Sequence, residues 1–274
     1  MPLSLNTALS GLQQFQEQID VIGNNIANVN TTGFKDARVD FEDVFSQALG
    51  GSSPSNQVGM GVTTGAIQNN FSPGTVSNTG VPGDLAITGQ GFFVVKDATD
   101  SAQYVTRDGT FQLDANGYLV TNGGQRVQGY SDAGLTTLGD LRIDATGAPS
   151  TAAPGATVKS FSVDPNGKIS VTLSDNTTFV RGQVLLQNFS NPGALIKQGA
   201  NLYVANSSAG PLAQPAAPGT NGTGTIQQGA LEASNVDLTA EMTNMISAER
   251  AFQANARVVT TTDEIMQEVD SLKR

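Results

Sequence analysis

The chain has 274 residues and a mass of 28.3 kDa, room for one large domain or two modest ones. It holds no His, Cys or Trp, which excludes disulfides, thiolate nucleophiles, zinc fingers, imidazole metal sites and the Ser-His-Asp triad. A formal charge of −10 and a pI near 4.3, with only 14% charged residues, argue against nucleic acid and anionic membrane as partners, because both are polyanions.

The first thirty residues carry two heptad rows. Leu5, Leu12, Ile19 and Ile26 form one; Ala8, Phe15, Ile22 and Val29 form the other. This a/d spacing predicts a coiled-coil-like helix of about 26 residues, roughly 39 Å long at ~1.5 Å per residue. Asn30-Thr31-Thr32-Gly33 closes it with a run of breakers. The segment that follows is a connector, and Gly50 to Gly59 within it is rich in Gly, Ser and Asn.

Further along, the period changes from seven to two. Ala86–Thr88 and Phe92–Val95 are strands around Gly89-Gln90-Gly91. Tyr104–Thr106, Thr110–Leu113 and Tyr118–Val120 follow, separated by Arg107-Asp108-Gly109 and Asp114-Ala115-Asn116-Gly117, both hairpin signals. Val158–Val163, the turn Asp164-Pro165-Asn166-Gly167, Ile169–Leu173 and Arg181–Phe189 continue an antiparallel β domain. Residues 198–231 carry no charge and form a long ordered connection.

The seven-residue period returns at the C-terminus. Leu238, Met245, Phe252, Val259 and Met266 recur every seven residues, flanked by Met242, Ala256, Val269 and Leu272. Ser234 or Asn235 can cap the start, with Asp237 in the first turn. The β-branched run Val258–Thr262 opposes a helix locally, but the period runs through it. The fold class is therefore α+β. Long terminal helices pair as a coiled-coil-like layer around a central antiparallel all-β domain. The expected divisions are 1–33, a connector 34–70, a β-rich domain 71–231, and a C-terminal helix 232–274.

Candidate chemistry is thin. Gly89-Gln90-Gly91 lacks the Lys-Ser/Thr of a phosphate loop and any βαβ context. The Asp114–Gly117 and Asp164–Gly167 turns lack the Glu and flanking helices of a calcium loop. Asp40 with Asp43, and Asp263 with Glu264, suit acidic faces of exposed helices better than acid–base work. Arg107 beside Asp108 suits a turn ion pair. No catalytic, cofactor or metal site is expected. A narrow apolar stripe must be buried against another helix, so the termini should pair with each other or with further copies. A non-closing interface between copies makes a helical filament. No Sec signal peptide and no membrane span is expected, since the first basic residue is Lys35 and the apolar runs are short.

Three stretches carry a resemblance. Ala8-Leu9-Ser10-Gly11-Leu12, Ile22-Gly23-Asn24-Asn25-Ile26-Ala27-Asn28 and Thr32-Gly33-Phe34-Lys35 lie at the N-terminus. Asp84–Ile87 with Gly89–Phe93, then Tyr104–Phe111 and Gly117–Val120, lie in the middle; Gly229–Leu238 and Arg250–Asn255 lie at the end. Together they resemble the bacterial flagellar axial proteins, the family of rod, hook and hook-associated subunits. The resemblance implies a non-enzymatic subunit that assembles with itself into a tube. Its terminal helices would form the inner layer, with Leu5, Leu12, Phe15, Ile19, Ile22, Ile26, Val29, Leu238, Met245, Phe252, Val259 and Met266 as the seam. It implies motif positions at Asn24, Asn25, Ala27, Asn28, Gly33, Phe34 and Lys35. It implies export through the flagellar type III apparatus, with Leu5 and Leu9 at the recognition positions, and Leu5 where the family has Phe. Partners would be other axial proteins at the polymer ends and a hook cap.

Within that family, Arg126–Tyr130 and the ending Thr260–Glu268 with Leu272–Arg274 resemble hook proteins, while the short chain and the lack of an insertion after Tyr130 resemble distal rod. The expectation is a short hook subunit, with the distal rod as alternative and an adhesin or phage-tail fibre as remote rival. A short Gly/Ser-rich stretch from Ser46 to Gln57 would leave few locking contacts and permit bending.

Overall fold

A computed structural model describes residues 3–48, 57–98, 102–150, 152–153, 155–210 and 214–272. The middle of the Gly/Ser-rich stretch, Pro211 and the final Lys273-Arg274 lie outside the described residues. The chain folds as two units. One contains residues 1–29, 36–70 and 236–274; the other contains 30–35 and 71–235.

In the first unit, α1 spans Leu3–Ala27 and α2 spans Leu238–Leu272, and the two helices pack on each other. Asp237 caps α2: its Oδ1 accepts the Thr239 and Ala240 N–H groups at 2.9 and 3.3 Å, so the cap lies later than Ser234 or Asn235. The β-branched run stays helical because Thr260, Thr261 and Thr262 turn their hydroxyls back onto carbonyls three or four residues earlier, at 2.7–3.1 Å.

The described residues of 36–70 are more built than a Gly/Ser connector. Ala37–Asp43 pairs antiparallel with Val62–Asn69, with a bulge between Asp40 and Phe41, and Ser46–Ala48 pairs with Gln57–Gly59. Asp40 and Asp43 therefore stand on a strand, not a helix, and Asp40 pairs with Arg38 at 3.2 Å. The strand pair is fastened to α1. Ser10 Oγ accepts the Val62 N–H at 3.3 Å, Thr64 Oγ1 donates to Glu17 at 2.5 Å and also meets Gln14, and Phe15 meets Phe41 edge to face with centroids 6.0 Å apart.

The second unit is built on one antiparallel sheet. Its order is Val158–Val163, Lys168–Leu173, Thr178–Val184, Arg126–Tyr130, Phe92–Lys96, Gln103–Thr106, Leu202–Val204 and Ile196–Gly199. The run Phe92–Val95 is apolar at every position because both its faces are covered. Phe93 and Val95 join Leu119, Val127 and Val184 in one core, while Phe92 and Val94 join Val105, Phe189 and Tyr203 in another.

The turns at Asp114–Gly117 and Asp164–Gly167 close the hairpins Phe111–Leu113/Leu119–Thr121 and Val158–Val163/Lys168–Leu173. The Arg107–Gly109 corner does not close one. Gln103–Thr106 pairs instead with Phe92–Lys96 and Leu202–Val204, and Leu85–Thr88 pairs with Thr225–Gln228. The corner is filled by backbone: a Cβ on Gly109 would stand 1.7 Å from the Leu85 carbonyl oxygen, so the chain passes where no side chain fits.

Candidate functional site: the terminal helices and a buried ion cluster

The candidate side chains are those that hold the terminal segments in place and those exposed on them. On α1, Ala8, Gly11, Ile22 and Asn25 are buried, and Leu5, Leu12, Phe15, Ile19 and Ile26 are half-buried, as is Val29 just past the helix. Gly11 brings the helices close, since a Cβ there would lie 2.6 Å from Asn255 Nδ2. On α2 the inward row is Glu241, Met245, Ala248, Phe252, Asn255, Val259 and Thr262, alternating three and four residues apart. So Met245, Phe252 and Val259 sit on the predicted row, but Leu238 and Met266 are 40% and 45% exposed. Met242, Ile246, Ile265 and Val269 are exposed too, leaving α2 with apolar side chains that the described residues do not cover. Leu9 is exposed on α1, while Leu5 is half-buried.

The Asn-rich motif ends α1 and starts the strand. Asn28 Nδ2 donates back to the Asn24 carbonyl at 2.9 Å and to Asn24 Oδ1 at 3.0 Å. Asn25 is buried, and its amide imitates a strand neighbour. Nδ2 donates to the Ala37 carbonyl at 2.8 Å, and Oδ1 accepts the Ala37 N–H at 3.1 Å. Ala27 is exposed. Glu241 sits in the same unit with Asn25, Asp36 and Asp237 around it. Burial raises its pKa, and the two carboxylates add to the effect, while the Asn25 hydrogen bond opposes it. Its Oε2 is buried with no hydrogen-bond partner among the described residues.

The Thr32-Gly33-Phe34-Lys35 motif belongs to the β unit. Gly33 has φ +67° and donates its N–H to the Glu232 carbonyl at 2.8 Å; a Cβ there would meet the Asp108 backbone nitrogen at 2.6 Å. Phe34 is buried beneath the Lys197 ammonium, 4.8 Å from the ring centroid. Lys197 also donates to the Lys35 carbonyl at 3.1 Å, and Asn201 donates to the Thr32 carbonyl at 2.9 Å.

Lys35 itself is fully buried. Its Nζ donates to Glu232 Oε1 at 2.6 Å and to the Ser72 carbonyl at 2.8 Å. The second Glu232 oxygen accepts from Arg107 Nη1 at 3.1 Å, and Gly74 N–H adds a bond to Oε1 at 2.9 Å. Arg107 donates on to the Gly89 carbonyl at 2.9 Å and lies 5.2 Å from the Phe92 ring centroid, with Nε unpartnered among the described residues. Two cations thus share one buried carboxylate. Burial lowers the Arg107 pKa against the pull of Glu232, and burial pushes the nearby Tyr203 phenol far above its usual range.

Sequence reasoning placed Arg107 in a turn ion pair with Asp108. Asp108 instead accepts Thr110 N–H and Oγ1–H at 3.1 and 2.9 Å and Thr32 Oγ1–H at 3.2 Å. Glu232 was missed as a partner because 125 residues separate it from Arg107. The cluster is a structural clasp rather than a reaction centre, for every charged group in it is spent on a neighbour and shut from solvent. Among the described residues no group of acidic side chains could hold a metal ion, and no helix is long and apolar enough to cross a membrane.

Comparison with known proteins matches three stretches of the chain. Residues 5–35 match the "Flagella basal body rod protein" family, 86–171 the "Flagellar hook protein FlgE/F/G D1 domain", and 227–272 the "Flagellar basal body rod FlgEFG protein C-terminal". The chain is 41% identical over 280 residues to the flagellar basal-body rod protein FlgG of Bacillus subtilis (strain 168), covering 99% of both chains. It is 34% identical to that of Borreliella burgdorferi over the whole of both chains. Identity to the flagellar hook protein FlgE of Helicobacter mustelae is 37% over 211 residues, covering 73% of this chain but 44% of that one. The chain therefore belongs to the flagellar rod and hook protein family, as a non-enzymatic structural component of the bacterial flagellum.

Proposed function

We propose that this chain is the distal rod subunit of the flagellar basal body, a stiff tubular segment, rather than the hook subunit that the sequence motifs favour. The observation that carries this reading is end-to-end likeness to basal-body rod proteins, with 99% of both chains covered in the Bacillus subtilis pair. The hook relative is more than twice the length of the stretch it shares. The strand pair Ala37–Asp43/Val62–Asn69 supports the same choice. The pair is pinned to α1 through Ser10, Phe15 and Glu17, and a stiff tube needs such a fixed segment more than a bending joint does.

In this reading α1 and α2 form a coiled-coil-like inner layer. The uncovered α2 residues Leu238, Met242, Ile246, Ile265, Met266 and Val269 pack against further copies. The polymer meets other axial proteins at its two ends. The subunit leaves the cell through the flagellar type III apparatus, with exposed Leu9 and half-buried Leu5 at the recognition positions, and a hook cap acts on the structure built beyond it. Electron cryotomography of cells lacking this gene tests the assignment. The expected basal body has a shortened rod and no hook. A full-length rod that merely lacks a hook would restore the hook reading.

A further inference from the structure

Asparagine followed by glycine is chemically labile. The Gly nitrogen can close a five-membered ring on the Asn side chain, and Gly has no Cβ to shield that nitrogen. The chain holds four such pairs: Asn116-Gly117, Asn122-Gly123, Asn166-Gly167 and Asn221-Gly222. All four lie in the β unit, and the fold treats them differently.

Ring closure makes two demands. The Gly N–H must give up its proton, and the Asn Cγ must swing toward the nitrogen. A hydrogen bond on either group opposes the step. In two pairs the nitrogen is held: Gly117 N–H donates to the Asp114 carbonyl at 3.0 Å, and Gly167 N–H donates to the Asp164 carbonyl at 2.8 Å. In a third the side chain is held at both ends. Asn122 Oδ1 accepts from Gln112 Nε2 at 3.3 Å, and Asn122 Nδ2 donates to Thr110 Oγ1 at 3.2 Å. Asn221-Gly222 has neither restraint. Both residues are exposed, and neither the Asn221 side-chain amide nor the Gly222 N–H has a hydrogen-bond partner among the described residues. They sit at φ +50° and +75°, the two middle residues of a tight turn closed by Thr223 N–H on the Thr220 carbonyl at 2.9 Å.

This turn leads into a firmly seated segment. Thr223 is buried, and its Oγ1 donates to the Thr220 carbonyl at 2.7 Å. Gly224 N–H donates to the Gln90 carbonyl at 2.6 Å, and Thr225–Gln228 then pairs with Leu85–Thr88.

We propose that Asn221 is the chain's preferred site of spontaneous deamidation, with water as co-reactant. The Gly222 nitrogen bonds to Asn221 Cγ, the Cγ–Nδ2 bond breaks, and ammonia leaves carrying the Gly222 proton. Water then opens the cyclic imide at either carbonyl. One opening gives aspartate. The other gives isoaspartate, whose backbone runs through Cβ and Cγ and is one carbon longer. Either product adds a negative charge at neutral pH. The extra carbon falls inside the Thr220–Thr223 turn, breaks its closure and loosens the strand pair beyond it.

The full chain, folded in mildly alkaline buffer, is sampled over time, digested and read by peptide mass spectrometry. Asn221 should convert about tenfold faster than Asn116, Asn122 or Asn166, the factor that a held hydrogen bond of ~1.4 kcal/mol supplies. In denaturant the four rates should converge, since the restraints belong to the fold. Equal rates in the folded chain, faster conversion at another pair, or the same ordering in denaturant would overturn the assignment. Asn221→Gly keeps a residue suited to positive φ but has no side chain to cyclise. Amide exchange along Thr225–Gln228 should quicken as the unaltered chain ages and stay constant in the variant. An equal rise in both, or none once Asn221 has converted, would overturn the loosening.

Discussion

Lys35 Nζ lies 2.6 Å from Glu232 Oε1, a contact between fully buried side chains 197 residues apart. Lys35 ends the first segment of the β unit and Glu232 lies close to the end of the second. The ion pair thus ties the place where the chain enters the unit to the place where it leaves. Its stoichiometry makes a clear prediction. Glu232→Gln strands two buried cations and should cost about 3–5 kcal/mol of β-unit stability. Lys35→Met leaves the one-to-one pair of Glu232 with Arg107 and should cost less. Thermal unfolding of both variants checks this; equal losses would mean that Arg107 draws nothing from the carboxylate.

Gly33 is the second hold on the same segment. Its φ of +67° costs an L side chain roughly 1–2 kcal/mol, and the Cβ would also press on the Asp108 backbone. Gly33→Ala should therefore lower stability by more than the conformational term alone. Gly23→Ala, where a Cβ meets nothing within 4 Å, should be neutral or slightly stabilising. Denaturant melts of the pair measure the difference.

Asn25 presents both halves of its amide to the Ala37 backbone. Asn25→Asp keeps the acceptor but loses the donor and leaves the buried Ala37 carbonyl without that bond. A loss of about 1–3 kcal/mol is expected, with faster amide exchange along Ala37–Asp43. Unchanged exchange would show that the strand is held by Val62–Asn69 alone.

Glu241 has a raised folded pKa, from burial first and then from Asp36 and Asp237. A carboxyl shifted upward destabilises the fold while ionised, and that penalty disappears as pH falls through the folded value. Glu241→Gln should therefore stabilise the helical unit at neutral pH and lose its advantage in acid. A stability profile against pH for both proteins decides the sign.

Asp140 and Asp144 behave oppositely. Burial alone would raise both, but hydrogen bonds outweigh it: Gln128 and Arg126 hold Asp140 low, and Arg181 and Thr146 hold Asp144 low. Carboxylates held low stabilise the fold above their unfolded pKa, and that share is lost as pH falls through the folded values. Acid should therefore loosen the β unit first around Arg126–Asp140 and Arg181–Asp144. In Asp144→Asn the acid sensitivity should shrink.

The two terminal helices and their seven-residue rows were legible in the sequence, because a helix repeats every 3.6 residues whatever it later touches. The Asn-Gly and Pro-Asn-Gly hairpins were legible for the same reason, as local backbone chemistry decides them. The motif residues were visible as a family likeness, but their work was not. Tertiary structure decided that Asn25 acts as a strand edge, that Arg107 turns away from Asp108 toward Glu232, and that Leu238 and Met266 stay uncovered. Each of those outcomes depends on a group tens to hundreds of residues distant, and the free energy of a buried charge or amide is set by what surrounds it rather than by its neighbours in the chain. Composition alone excluded histidine and cysteine chemistry; only the folded chain revealed that its few charges include three spent on a single clasp.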